Sequence, residues 1–548
     1  MKLILSLLSV GFLVFSGCTG GGESGDGAGI KDVFIELLGS EPSDLHPIRA
    51  SEVVSTQIRL QTIHYASAIV ETLMRVDIDD YELKPNLAER LEVSEDGKTF
   101  TFFLRKDVKF HDGSMMTSED VEFSFKALFD DKHEAFALRS FYNNFVSSKV
   151  IDEYTISFTA KNSYYLNSEV IGELRIFPKK TYSKVSKENT LAKTVVGSGP
   201  YKFDKWSKGK SITLIRYKDW WGNKTETGKN FYKFKKIMFK FVKESSLRIA
   251  MLERGKADYD NSIRAEDFTK KMDGEAWGKS VLKVKAENKL PKNMSFIGLN
   301  NKNIILKDRR VRLALAHLVN RKFIINKFYY DMSEPATGPF RLASEYANPD
   351  VKPIPFDTSK ARAILAEAGW SDTDKDGVLD KIIDGQKRQL QFELLNTNKD
   401  TEKVITVIKE DMKKAGVNMR ISTIDWNAFT KALNERKFEA VIMAWGGGGV
   451  NPDPTQIWHS KSIKGTGSNF VSYSNEKVDT LIDSAINMTD KTERLKAFHQ
   501  IHKMIAEDAP YIFFLEPKFS LYAVSARVKR KKDTFNYSVG PQTWSLPE

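Results

Sequence analysis

Four consecutive glycines, Gly446-Gly447-Gly448-Gly449, directly follow an apolar run, Phe438–Trp445. Trp445 and Trp458 flank the segment, with Asn451 and Asp453 between them. Glycines let the backbone approach a ligand closely and adopt unusual dihedrals. Two readings stand: a flexible surface loop, or a pocket wall that offers backbone N–H and C=O groups beside an aromatic face. A second constellation is Asp372, Asp374, Asp376 and Asp380, with Gly377 at the sixth position. Those spacings match the start of a calcium loop, but the bidentate acid expected at position twelve falls on Ile383. The alternative is a polar turn in which the aspartates cap and bond backbone groups. Among the eight histidines the one close pair is His499 and His502, spaced for a structural or solvated role on one helix face. HExxH, GxSxG and CxxC are absent, and Gly209-Lys210-Ser211 lacks the first glycine of a phosphate loop, which falls on Asp204. The single cysteine excludes Cys-cluster metal and iron–sulfur sites. These residues point to binding rather than covalent chemistry, and no cofactor is expected.

Elements of alternating type must position them. Val33–Leu38, Thr99–Leu104, Ile151–Ala160 and Ile212–Tyr217 read as strands, and Ser55–Arg75 as a helix leading into a second segment. Thr117 with Asp120 forms an acidic capping box for a helix carrying Val121, Phe125 and Leu128. From Asp308 the pattern is more regular. Asp308, Asp357 and Asp425 open helices; Gly369 stops the one that Asp357 opens, and Gly416 stops another over Thr401–Ala415. Val417–Ile424 and Phe438–Trp445 read as strands between them. This is the pattern of an α/β unit after a mixed α+β half, and ligands of open α/β sheets sit beyond the carboxyl ends of strands. The end of Phe438–Trp445 is therefore the place to look.

Length and composition narrow the class. The chain has 548 residues, 41% hydrophobic and 28% charged, enough for two to four domains. Mean hydropathy is −0.39 and no long apolar run follows the N-terminus, which excludes a multi-span membrane protein. The net charge is +12, but it is scattered. The densest basic run, Arg527–Lys532, reads as a solvated edge or a partner contact, and no nucleic-acid partner is expected. At the N-terminus, Lys2 and the apolar Leu3–Phe15 form a signal peptide too short to span a bilayer stably. Ser16-Gly17-Cys18 resembles a lipobox with Phe15 in place of the usual leucine. Cys18 would then be lipidated, and the glycine-rich stretch that follows, up to Gly29, would tether the globular part to a membrane outside the cytoplasm.

The segment Glu71–Phe125 resembles the signature region of the family 5 extracellular solute-binding proteins, the peptide-binding receptors of ABC importers. Val196–Phe203, Leu252–Tyr259, Gly298–Arg321, Ala361–Trp370 and Ala440–His459 resemble further family segments in order. The resemblance implies an α/β, two-lobed periplasmic-binding-protein-like fold with a hinge and an extra subdomain in a mixed α+β first lobe. The implied boundaries are signal peptide 1–17, tether 18–29, first lobe 30–297 with subdomain about 76–195, second lobe 298–514, and a returning segment 515–548. The hinge crossings are expected near Phe296–Asn300 and Ile512–Pro517. The implied function is capture of oligopeptides and delivery to an inner-membrane ABC permease by a monomer. The alternatives are a sensor of the same fold, or a receptor for an oligosaccharide, an opine or haem. The implied contact residues are Trp445, Gly446, Gly447, Gly448, Asn451, Asp453 and Trp458. In peptide-binding members an aspartate near this point pairs with the ligand's α-amino group. Here that position holds Gly448, which leaves Asp453 as the candidate carboxylate.

Overall fold

The computed structural model describes residues 31–49, 68–186, 189–193, 195–446, 449–465 and 467–547. Three sheets carry the architecture. A seven-stranded sheet runs in the order Val281–Ala286, Ser520–Ser525, Tyr259–Asp260, Val33–Leu38, Lys236–Phe241, Ser211–Arg216, Tyr201–Ser207. Val33–Leu38 is parallel to both its neighbours, and the remaining pairs are antiparallel. A five-stranded sheet runs Asn418–Thr423, Gln391–Asn396, Ala440–Trp445, Met294–Leu299, Tyr511–Phe513. Its first three strands are parallel, as strand–helix alternation requires. A four-stranded antiparallel sheet, Ala88–Val93, Thr99–Leu104, Thr155–Ala160, Phe145–Asp152, is built from chain between the first two strands of the large sheet.

Each large sheet is covered on both faces. Phe34, Leu38 and Phe239 pack with the four-stranded sheet's Phe102 and Phe158, whereas Ile35, Leu37 and Leu252 fill the opposite side. Ile297, Phe392 and Ile405 form one core of the five-stranded sheet; Phe296, Phe429, Val441 and Ile501 form the other. This is the alternation that strand periodicity imposes. The C-terminal end closes on the large sheet: the Trp544 ring meets Tyr259 edge-on with centroids 5.0 Å apart.

The helix starts follow their caps. The side chains of Asp308, Asp357 and Asp425 accept from backbone N–H groups of the first turn, and Asp120 accepts from the Thr117 N–H at 3.0 Å. Gly369 and Gly416 sit at φ +84° and +80° just past helix ends. Gly197 is required for another reason. A Cβ there would lie 2.0 Å from the Ile69 carbonyl, so the loop can cross residues 68–70 only without a side chain.

Three expectations are corrected. Ile151–Ala160 is not one strand but two arms of a hairpin that turns at Glu153-Tyr154, where the Asp152 carboxylate accepts the Tyr154 N–H at 2.8 Å. The expected helix Ser55–Arg75 falls largely outside the described residues, and its last part is extended: Met74–Val76 pairs with Leu83–Pro85. The first crossing lies upstream of Phe296–Asn300. The chain leaves the seven-stranded sheet after Ala286 and enters the five-stranded sheet at Met294. It returns between Pro517 and Ser520. The basic run Arg527–Lys532 lies at a solvated edge, with Lys529, Lys531 and Lys532 exposed, and it also carries internal ties. Arg527 pairs with Asp258 at 2.6 Å, and Lys532 lies 3.4 Å from Asp79. No helix among the described residues is long and apolar enough to cross a membrane.

Candidate functional site

A cleft of about 1490 Å³ lies where the sheets meet. One wall is the carboxyl end of Ala440–Trp445 with the loop after it, the other is the segment Tyr164–Glu173, and the floor is the crossing chain near Lys292 and Glu516.

The strand wall is positioned by pairing and stacking. Ala440–Trp445 pairs along its whole length with Met294–Leu299, but on its other side Gln391–Asn396 reaches only Ala440 and Val441. Beyond Val441 no strand covers that edge among the described residues. The Trp445 ring stacks between Phe296 and Phe470, with centroids 5.8 and 5.9 Å away, and Phe296 stacks in turn on Tyr511 at 3.9 Å. Trp445 is therefore held rigidly in the cleft lining. Gly446 lies beside it, its carbonyl accepting from Arg341 at 2.6 Å. Gly447 and Gly448 lie outside the described residues, as does Cys18.

The remaining sequence candidates are present at the cleft with different roles. Trp458 is 2% exposed and packs on Tyr511 at 4.7 Å, so it supports the wall instead of covering a ligand. Asn451 donates to Glu169 at 2.7 Å and accepts from the Tyr346 hydroxyl at 3.0 Å. Asp453 accepts from the Tyr164 hydroxyl and from the Thr455 N–H, each at 2.8 Å. Each of its oxygens thus already accepts one bond from a neutral donor, so it stands in the cleft partly satisfied rather than bare. The acidic loop lies away from the cleft lining. Asp372, Asp374 and Asp376 do bring carboxylate oxygens within 4.8 Å of one another. Yet Asp372 and Asp376 take the N–H groups of Gly377 and Val378, and the Lys387 ammonium lies 2.6 Å from Asp374 and 3.2 Å from Asp380. Asp380 is turned inward, with Thr373 donating to it. His499 and His502 also separate: His499 meets the Glu345 carbonyl, while His502 is buried against Thr337.

The opposite wall was not legible. Tyr164 and Tyr165 precede the short helix Asn167–Gly172, and Glu169 within it and Glu173 at its C-terminal cap, one turn apart, line the cleft. The Tyr165 hydroxyl donates to the Pro452 carbonyl, its N–H donates to the Ile486 carbonyl at 3.0 Å, and the Arg494 guanidinium lies 4.5 Å from its ring centre. Burial, then the charge of Asp453, raises the Tyr164 phenol well above its usual range, so it remains a donor. Burial likewise raises Glu169, against the lowering effect of its bond from Asn451. The one available signal was the spacing of two acids four apart behind an aromatic pair. On the floor, burial pushes the Glu516 carboxyl up to about 7, and the Leu342 N–H donates to it at 3.0 Å. Burial pulls Lys292 down to about 8 while its ammonium donates to the Asn288 and Leu290 carbonyls.

This site on this fold defines a solute-binding protein. Residues 82–467 match the model of the bacterial extracellular solute-binding proteins, family 5, and the chain belongs to that family. It is 28% identical over 535 residues to the oligopeptide-binding protein AppA of Bacillus subtilis, covering 94% of this chain and 93% of that protein. It is 26% identical to the heme-binding protein A of Haemophilus influenzae, covering 88% and 86%. The solved structure of Bacillus subtilis AppA in complex with a nonapeptide superposes with a TM-score of 0.74 at 26% identity, covering 94% of this chain and 99% of that one. The NikA structure from Brucella suis, at 21% identity and TM-score 0.78, shares the fold.

Proposed function

We propose that the protein is the lipid-anchored oligopeptide receptor of an ABC importer. It captures an extended peptide between two lobes and hands it to a permease in the membrane. The observation that carries the reading is the cleft itself. Its 1490 Å³ exceeds the roughly 300–1,000 Å³ of pockets for drug-sized ligands, as several peptide residues require. One wall presents a strand edge that no strand pairs past Val441 among the described residues, to which a peptide backbone can add as a further strand, and Trp445 is held rigidly beside it. Likeness to proteins named for oligopeptide binding supports the same ligand class.

The lobes of this reading are 30–286 with its inserted sheet, and 294–517, with 518–548 returning to the first. Hinges at 287–293 and 518–519 allow the walls to part. Closure is held by the hydrogen bonds of Tyr164, Tyr165 and Glu169 to residues 451–453. Ligand shifts this equilibrium only through contacts made to both walls at once. The lipobox-like segment at Cys18 supplies the anchor, and the receptor acts as a monomer without catalysis. Native mass spectrometry of the soluble form, purified without added ligand, tests the proposal. Copurified peptides are expected; bound haem, nickel or sugar in their place overturns it.

A further inference from the structure

Resting on the reading of the cleft as a peptide receptor, we propose that Glu173 is the carboxylate that receives the ammonium end of the captured peptide. A free ammonium group gains most from a carboxylate that has neither a cation nor a hydrogen-bond donor of its own. The other acids of the cleft lining are engaged. Asn451 donates to Glu169, and Tyr164 and Thr455 donate to Asp453. Glu345 pairs with Lys491, Asp483 with Lys461, and Glu516 accepts the Leu342 N–H. Glu287 and Glu334 share the field of Lys518. Glu173 lines the cleft, is exposed to it, and has no hydrogen bond to its carboxyl and no ion pair among the described residues.

Its surroundings favour a cation. Glu169 lies one helical turn back on the same face, so the two acids repel each other until a positive group arrives. The other charged or titratable groups around it are Arg175, Tyr142 and Tyr81. The Arg175 guanidinium, the one cation among them, donates to the Pro47 carbonyl at 3.0 Å. The protein that walls the cleft, and then the charge of Glu169, push the Glu173 carboxyl up to about 7, although water in the open cleft still reaches it. A proton therefore competes with the ligand near neutrality. The sign follows: an ammonium partner binds the carboxylate, so affinity rises as pH rises through about 7 and falls below it.

The test is calorimetric titration of one oligopeptide in its free and N-acetylated forms against the wild type, Glu173→Gln and Asp453→Asn, between about pH 6 and pH 8. The wild type is expected to prefer the free form. Glu173→Gln should lose about ten-fold or more for the free form, as loss of a charged hydrogen bond does, and little for the acetylated form. It should also flatten the pH dependence, at a melting temperature equal to or above that of the wild type, because the raised carboxyl costs stability once ionised. Asp453→Asn should weaken both forms equally. Equal affinity of the wild type for both forms, or a preference removed by Asp453→Asn and kept by Glu173→Gln, overturns the inference while the peptide reading stands. Binding of neither form by the wild type overturns both.

Discussion

The two walls of the cleft are built by opposite means. The strand wall is rigid: Trp445 ends a strand paired along its whole length on one side and is clamped in a stack from Phe470 through Phe296 to Tyr511. The facing wall rests on a helix of six residues, and its polar groups reach across the cleft to residues 451–453. The first wall offers shape and backbone, which all peptides can use. The second offers charge and closing contacts, which depend on the state of the lobes. A receptor for varied peptides needs both, because affinity independent of side chains comes from one wall and commitment to the closed state from the other.

The largest expected effect comes from breaking the rigid wall. Trp445→Ala should weaken oligopeptide binding by about 2 kcal/mol or more, as loss of a central aromatic anchor does, with free and acetylated peptides affected alike. Calorimetry reads this directly, and unchanged affinity would move the ligand off the strand wall. A smaller loss is expected from the closing contacts. Tyr164→Phe and Tyr165→Phe each remove one hydrogen bond across the cleft, about 1 kcal/mol apiece. Their effect should appear in binding and as a larger radius of gyration by small-angle scattering of the ligand-bound double variant. Scattering identical to the wild type would deny these tyrosines a part in closure. The smallest effect sharpens the comparison from outside the cleft. The loop Asp372–Asp380 is also acidic, but it already holds the Lys387 ammonium and its own backbone N–H groups. Its melting temperature should not shift with millimolar calcium or with chelator, and a rise with calcium would show that an ion displaces Lys387.

Legibility in the sequence followed the same division. The strand ending at Trp445, the caps at Asp308, Asp357 and Asp425, and the stops at Gly369 and Gly416 are set within a few residues, and each is found where its local pattern placed it. The Tyr164–Glu173 wall is set by partners distant in the chain: Asn451 and Glu169 are 282 positions apart. No local period records such a pairing, and the bonds that Tyr164 and Thr455 donate to Asp453 have no trace in the local pattern either. Trp458 failed for a related reason. An aromatic near a pocket is as well suited to the core beneath it, and its neighbours Tyr473, Tyr511 and Phe513 come from other elements.

The central claim is that this cleft takes an extended oligopeptide. It is tested most directly by stripping the protein of ligand, refolding it, and titrating peptides of increasing length alongside haem and nickel. The account predicts that affinity climbs from dipeptides to longer peptides and levels off once the cleft is filled, with haem and nickel binding far more weakly. Tighter binding of a dipeptide, of haem or of nickel than of any longer peptide would contradict it.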